Sequence, residues 1–205
     1  MNIGILGAGN IAGALGKRWA AQGHNIVFGV RDPQSYTVEI LLNSIGDKAD
    51  PGTMREAAAF GEVVVLAVTW PAVPEVLQQA GDLAGKILVD CTNRMGPLPL
   101  GGGSSGAEEV ARLAPGARVV KAFNTLGAES LANLRFGSQQ ASTFICGDDP
   151  AAKGVVTRLG EEIGFDVVDV GPLATAPLVE SLARLWVEIA RHRGRDIAFA
   201  LLRRS

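Results

Sequence analysis

Seven short, nearly unbroken apolar runs punctuate the chain: NIGIL (2–6), NIVFG (25–29), EVVVLAV (62–68), KILVDC (86–91), RVVKAF (118–123), STFIC (142–146) and FDVVDV (165–170). Each is short for a buried helix, and most lack the in–out alternation of a sheet with one wet face. Runs of this kind are strands covered on both sides. Helix signals lie between them. Thr53 with Glu56 and Ser105 with Glu108 have capping-box spacing, and Asp149 before Pro150 fits an N-cap and first helical position. Strand and helix in alternation predict an α/β domain on an open, doubly wound parallel sheet with right-handed crossovers.

Two stretches break the rhythm. Residues 94–106, RMGPLPLGGGSSG, form a Pro- and Gly-rich loop after a strand's carboxyl end, the place where a linker or a flap over a ligand is expected. From Ala174 onward the pattern turns helical, with Leu178, Leu182, Leu185, Trp186 and Ile189 at helical spacing and Phe199 and Leu202 in a second segment beyond Gly194. The expected division is therefore residues 1–173 as the sheet domain and 174–205 as a small C-terminal helical portion, its apolar stripe packed on the sheet or across a dimer seam.

The totals narrow the function. A net charge of −2 disfavours a nucleic-acid surface or a polybasic membrane patch, and the apolar runs are too short to span a bilayer. Cys91 and Cys146 both sit in strand-like runs, which reads as buried free thiols in a reducing compartment. With no basic leader before the first strand, the expectation is a cytoplasmic protein.

Chemistry starts at residue 7. Gly7-Ala8-Gly9-Asn10-Ile11-Ala12 is G-x-G-x-x-A between a strand and a helix, the pattern of a dinucleotide turn. Gly7 permits the bend, Gly9 lets a pyrophosphate approach the backbone, and Ala12 keeps the helix close to the sheet. Some twenty residues on, where an NAD enzyme places a ribose-binding acid, the chain reads Val30-Arg31. A guanidinium there pairs with a 2′-phosphate, so NADP(H) is expected, with Ser35 as a further donor. Asp32 could fold back on Arg31 or serve the ribose.

The ends of the next strands carry Thr69-Trp70-Pro71, Thr92-Asn93-Arg94 and Phe123-Asn124-Thr125. Trp70 could wall a nicotinamide pocket or simply pack, and Asn93 and Asn124 could bond a ribose or carboxamide. His24 and His192 fall away from this rim, no metal-ligand spacing is present, and Lys121 lies inside a strand as a structural cation, or at most one that places Asn124. Reduction of a carbonyl needs a positioned proton donor, whereas hydride passing between two flat rings needs mainly orientation and a dry gap.

GILGAGNIAG (4–13), FGVRDP (28–33), VVLAVTWPAV (64–73), ILVDCTN (87–93), SGAEEVA (105–111), KAFNTLGAESL (121–131), CGDDPAAK (146–153) and DVGPLATAPLVESLARLW (169–186) together resemble the NADP oxidoreductases that use the deazaflavin coenzyme F420. The chain is also similar to the cytosolic reductase module of the six-transmembrane ferric reductases. The resemblance implies a Rossmann fold with a small C-terminal portion, usually a homodimer. It also implies direct hydride transfer between NADP(H) and F420, FMN or FAD. Ala8, Gly9, Asn10 and Ile11 would hold the pyrophosphate, and Val30 and Arg31 the 2′-phosphate. Val68 and Ala72 would line the path to the nicotinamide, with Asn93 and Gly127 beside it. Phe123, Asn124, Thr125 and Leu126 would floor the space between the rings; Asn124 and Thr125 are the nearest candidates for a catalytic role, since hydride transfer by positioning needs none. Two other readings stay open: an NADPH-dependent imine or keto-acid reductase, and a non-catalytic NADP(H) sensor.

Overall fold

The computed structural model describes residues 1–95 and 105–204. Most of the 94–106 loop, residues 96–104, thus lies outside the described residues. The chain runs β1 (Asn2–Leu6), α1 (Asn10–Ala21), β2 (Asn25–Gly29), α2 (Tyr36–Asn43), β3 (Ala49–Gly52), α3 (Met54–Phe60), β4 (Val63–Leu66), α4 (Val73–Ala80) and β5 (Ile87–Asp90). It continues α5 (Gly106–Leu113), β6 (Arg118–Lys121), β7 (Arg135–Phe136), β8 (Gln139–Gln140), β9 (Ser142–Gly147), α6 (Pro150–Glu162), β10 (Asp166–Asp169) and α7 (Ala176–Arg193). Both capping boxes form, and Asp149 accepts from the Ala152 N–H at 2.7 Å.

Eight strands make one Rossmann-type sheet in the order β3-β2-β1-β4-β5-β6-β9-β10. Their side chains alternate between two cores: Ile3, Ile5, Val63, Val65 and Val89 enter one, Leu6, Val64, Leu66 and Leu88 the other. That double burial is why these strands read as unbroken apolar runs. On the first face α1 and α6 bring Trp19 and Leu159; on the second, α3, α4, α5 and α7 bring Ala57, Leu77, Val110 and Val179. Gly4 lets α3 lie on β1 backbone to backbone, since a Cβ there would stand 1.9 Å from the Ala57 carbonyl oxygen.

The structure departs from the expected layout in three places. The sheet is parallel from β3 to β6 and again between β9 and β10, but β6 and β9 are antiparallel. No crossover helix joins those two strands. A short 3-10 turn at Ala128–Ala132 and the β7/β8 hairpin return the chain in the opposite sense. An eighth strand, β3, has the sequence ADPG and escaped the apolar pattern. It is an edge strand paired with β2 alone, where Pro51 is tolerated because one side needs no partner.

The third departure is at the C-terminus. Gly194, at φ 87°, ends α7, and the residues beyond it are not helical as expected for Phe199 and Leu202. They fold back instead: the Ser142 N–H donates to the Phe199 carbonyl at 2.8 Å, and the Leu201 N–H to Ser142 Oγ at 2.9 Å. β6 pairs only with the far end of β9, at Cys146 and Gly147, so this tail supplies what the start of β9 would otherwise lack. α7 buries Ala176, Val179, Ala183 and Trp186, while Leu178 and Leu185 point outward, exposed by 72% and 50%, with Leu182 and Ile189 half-buried on the same stripe. No helix among the described residues is long and apolar enough to cross a membrane.

Candidate dinucleotide crevice

β1 and β4 lie side by side while their neighbours extend in opposite directions, which opens a crevice at the carboxyl ends of the strands. Gly7 turns the chain out of β1 at φ 113°, its N–H bonded to the Gly29 carbonyl at 2.8 Å. A Cβ on Gly7 would stand 2.7 Å from the Ala67 carbonyl oxygen, whereas one on Gly9 would meet nothing within 4 Å. The first residue is held and the second is open to an incoming group. Gly9 caps α1 with no side-chain bond, leaving the first-turn N–H groups and the positive end of the helix dipole turned to whatever enters.

The crevice encloses about 990 Å³, at the upper end of the range on the order of 300–1,000 Å³ usual for small-molecule sites. Gly7 to Ile11 floor it beside β1, and Val30, Arg31 and Ser35 close one end. Arg31 is exposed and makes no hydrogen bond or ion pair among the described residues. Asp32 does not fold back onto it: its Oδ1 accepts from the Gln34 N–H at 3.0 Å. Ser35 begins α2 without using its hydroxyl as a cap, with Oγ 3.4 Å from Thr37 Oγ1.

Val68, Thr69, Trp70 and Ala72 form one wall, and Asn93, Leu126 and Gly127 the inner end. Asn93 and Asn124 are doubly joined. Asn93 Nδ2 donates to the Asn124 carbonyl and Asn124 Nδ2 to Asn93 Oδ1, both at 2.9 Å. Asn124 Oδ1 and Thr125 Oγ1 are buried without partners. Neither residue lines the crevice directly; they sit behind Asn93 and Leu126.

Phe123 lies elsewhere than expected. Its ring is fully buried and packs edge-on to Trp19 at 5.7 Å and tilted against Phe165 at 5.8 Å, so it belongs to the first core and not to a floor between rings. Its backbone, at φ 58°, makes the bend that sends the ring inward and the next residues toward the crevice. Ala12 packs beneath the turn and keeps α1 close to the sheet, as expected, without itself lining the crevice. His24 bonds the N-terminus and Glu162, away from the crevice. Lining positions that carried no sequence signal include Val38, Met54, Val76 and Arg195.

Below the inner end lies a buried ionic cluster. Lys121 Nζ donates to Asp90 Oδ2 at 2.9 Å and to the Thr92 carbonyl, and stands 3.6 Å from Glu180 Oε1. Asp90 also accepts from the Thr92 N–H and hydroxyl at 2.9 and 2.7 Å, which fixes the strand end carrying Asn93. Glu180, from α7, accepts from the Gly106 and Ala107 N–H groups at the start of α5, both at 3.1 Å. Burial pulls the Lys121 pKa down, but the Asp90 and Glu180 charges and the Asp90 hydrogen bond outweigh it, and the net shift is upward. Burial pushes the Cys91 thiol up, and the Cys146 thiol up to about 11, so both stay protonated. Glu180 gave a sequence clue: an acid on the buried face of α7 needs a partner.

Residues 2–94 match the family described as NADP oxidoreductase, coenzyme F420-dependent. The whole chain is similar to a crystal structure from Arthrobacter sp. FB24, provisionally described as an F420-dependent NADP reductase. The identity is 30% and the TM-score 0.89, covering 99% of this chain and 100% of that one. Metalloreductase STEAP3 of Rattus norvegicus is 37% identical over 181 residues, 88% of this chain and 36% of its own length. The chain therefore spans about a third of the length of the curated relatives it matches, metalloreductase STEAP2 of Homo sapiens among them, at 27% identity. An imine reductase from Bacillus cereus BAG3X2 shares the fold, at 19% identity and a TM-score of 0.68 over 92% of this chain and 60% of that one.

Replacing Lys121 by Met should cost about 3–5 kcal/mol, because it leaves two carboxylates facing each other out of water. One of them will then hold a proton well above the ordinary carboxylate pKa of about 4, so the variant's stability falls as pH rises from 5 to 8. The wild-type lysine, its pKa raised, contributes fully below the ordinary lysine value and loses that contribution only above it. Urea melts at the two pH values test this; equal loss at both would refute it.

Proposed function

This chain belongs to the coenzyme F420-dependent NADP oxidoreductase family, and from that premise we propose that it transfers hydride directly between NADP(H) and a deazaflavin or flavin ring, F420, FMN or FAD. The observation that carries this reading is the chemistry of the inner end of the crevice. Trp70, Leu126, Gly127 and Ala128 wall it, Thr92 and Asn93 supply neutral polar groups, Arg195 is the one cation there, and no histidine, lysine or carboxylate lines that end among the described residues. Residues 96–104 carry no ionisable side chain either. A site of this kind holds two rings at a fixed separation and excludes water, but has no positioned group to protonate a carbonyl or imine.

The protein's part in the reaction is placement. Arg31 and Ser35 would grip the 2′-phosphate, and the unclaimed N–H groups at the start of α1 would take the pyrophosphate over Gly9. Val68 and Ala72 would flank the dinucleotide. Asn93 and Gly127 would border the nicotinamide, with Asn124 behind Asn93 to hold its amide in place. Bound there, NADPH supplies the hydride. Asn93, held by Asn124, fixes the ring's orientation, and the apolar wall keeps the gap dry.

We assign the outward leucine stripe of α7 to a second copy of this chain, the homodimer that the sequence resemblance implies. Leu178, Leu182, Leu185 and Ile189 repeat at spacings of four, three and four, the seam of a helix pair. Native mass measurement should give a dimer for the wild type and a monomer for Leu185→Glu; a wild-type monomer would reject the assignment.

Mixing the protein with NADPH and each of F420, FMN and FAD should bleach the visible band of at least one acceptor. Bleaching of none, with NADPH bound, would reject hydride transfer between rings. Arg31→Asp should lower the preference for NADPH over NADH at least thirtyfold, about 2 kcal/mol. An unchanged preference would show that Arg31 does not read the phosphate.

A further inference from the structure

We propose that Arg195 recognises a phosphate on the side chain of the acceptor, so that this site selects phosphate-bearing flavins or deazaflavins over those ending in a neutral ribityl chain. This rests on the hydride-transfer reading of the crevice. Arg195 follows Gly194 at the end of α7 and lines the crevice beside Gly127 and Ala128. Those residues follow β6, whereas Arg31 follows β2. The two strands are four places apart in the sheet, roughly 19 Å at the usual spacing, so one phosphate cannot satisfy both cations. With the dinucleotide's extra phosphate given to Arg31, the cation at the other end is left for a second anionic ligand.

Its setting suits exchange. Arg195 Nε donates to Glu129 Oε1 at 2.8 Å and Nη2 to Oε2 at 3.4 Å, an uneven fork between side chains 58% and 52% exposed. Nη1 has no partner among the described residues. A pair this exposed contributes little to stability, and a phosphate offers the same guanidinium a stronger set of charge-assisted bonds. Orientation comes from below: the guanidinium lies 5.2 Å from the centroid of the Trp186 ring, and Trp186 Nε1 holds the tail through the Ile197 carbonyl at 2.9 Å. The pair also abuts the crevice wall. A Cβ on Gly127 would come within 2.5 Å of Glu129 Oε2 and 3.0 Å of the Trp186 ring, so Glu129 acts as the resident anion that the acceptor's phosphate displaces or joins.

The test uses two matched ligand pairs, FMN with riboflavin, and F420 with its chromophore stripped of the phosphate-bearing tail. Affinity is read from quenching of ring fluorescence, apart from turnover. Arg195→Ala should lower the ratio of phosphorylated to unphosphorylated affinity about tenfold, and Arg195→Lys should restore part of it. Glu129→Gln should raise the ratio, because it removes the competing anion. A merely structural ion pair predicts that both truncations weaken all four ligands alike, so ratios that do not move, or move the same way, overturn the proposal. The expected ratios without NADPH-driven bleaching would keep the phosphate site and sink hydride transfer. Bleaching without the ratios does the reverse, and a protein that binds none of the four rings refutes both.

Discussion

The buried ammonium of Lys121 is the interaction on which the working end of this protein depends. It joins β6 to β5 through Asp90 and to α7 through Glu180, and Glu180 in turn takes the free N–H groups that start α5. Four elements separated widely in the chain thus meet at one charge. Two carboxylates against one ammonium is a costly arrangement to bury, and it persists because each carboxylate has other donors: the Thr92 N–H and hydroxyl for Asp90, two backbone N–H groups for Glu180. The lysine is structural in this sense, yet its hydrogen bond to the Thr92 carbonyl places the residue just before Asn93. Apolar side chains of similar volume would fill the space without fixing that strand end.

Much of this architecture was written in the sequence, and the exceptions have physical causes. Strands buried on both faces announce themselves as apolar runs, so seven of the eight in the sheet were legible. β3 was not, because an edge strand can be built from Ala, Asp, Pro and Gly when its partner strand supplies the pairing. The direction of β9 was hidden for another reason. Polarity in a sheet is decided by the connection, and a connection made of a 3-10 turn and two-residue strands leaves no periodic trace. Gly7, Gly9, Arg31 and Ser35 were readable because a local turn positions them. Arg195 was not, since only the fold brings a residue beyond the last helix back to the crevice. Phe123 shows the opposite failure: its neighbours in sequence face the site, and its own side chain does not.

The crevice also has a division of labour that follows from the sheet order. Near β1 and β2 the backbone and one free guanidinium dominate, which suits a polyanionic dinucleotide. Near β5 and β6 the walls turn apolar and the polar groups are a neutral amide and a hydroxyl, with Arg195, paired to Glu129, the one cation lining that end among the described residues.

The bend at Phe123 has a consequence for how freely that position can drift. A non-glycine residue in the left-handed region is strained by about 1–3 kcal/mol, and here the strain is borne by a ring locked between Trp19 and Phe165. Glycine would relax the backbone but empty the space between those rings, a loss of about 3–5 kcal/mol. Smaller apolar residues would keep the strain and forfeit most of the packing. No single replacement improves both terms, so the aromatic ring and the distorted backbone are bound to one another, and the corner that leads into Asn124 stands or falls as a unit.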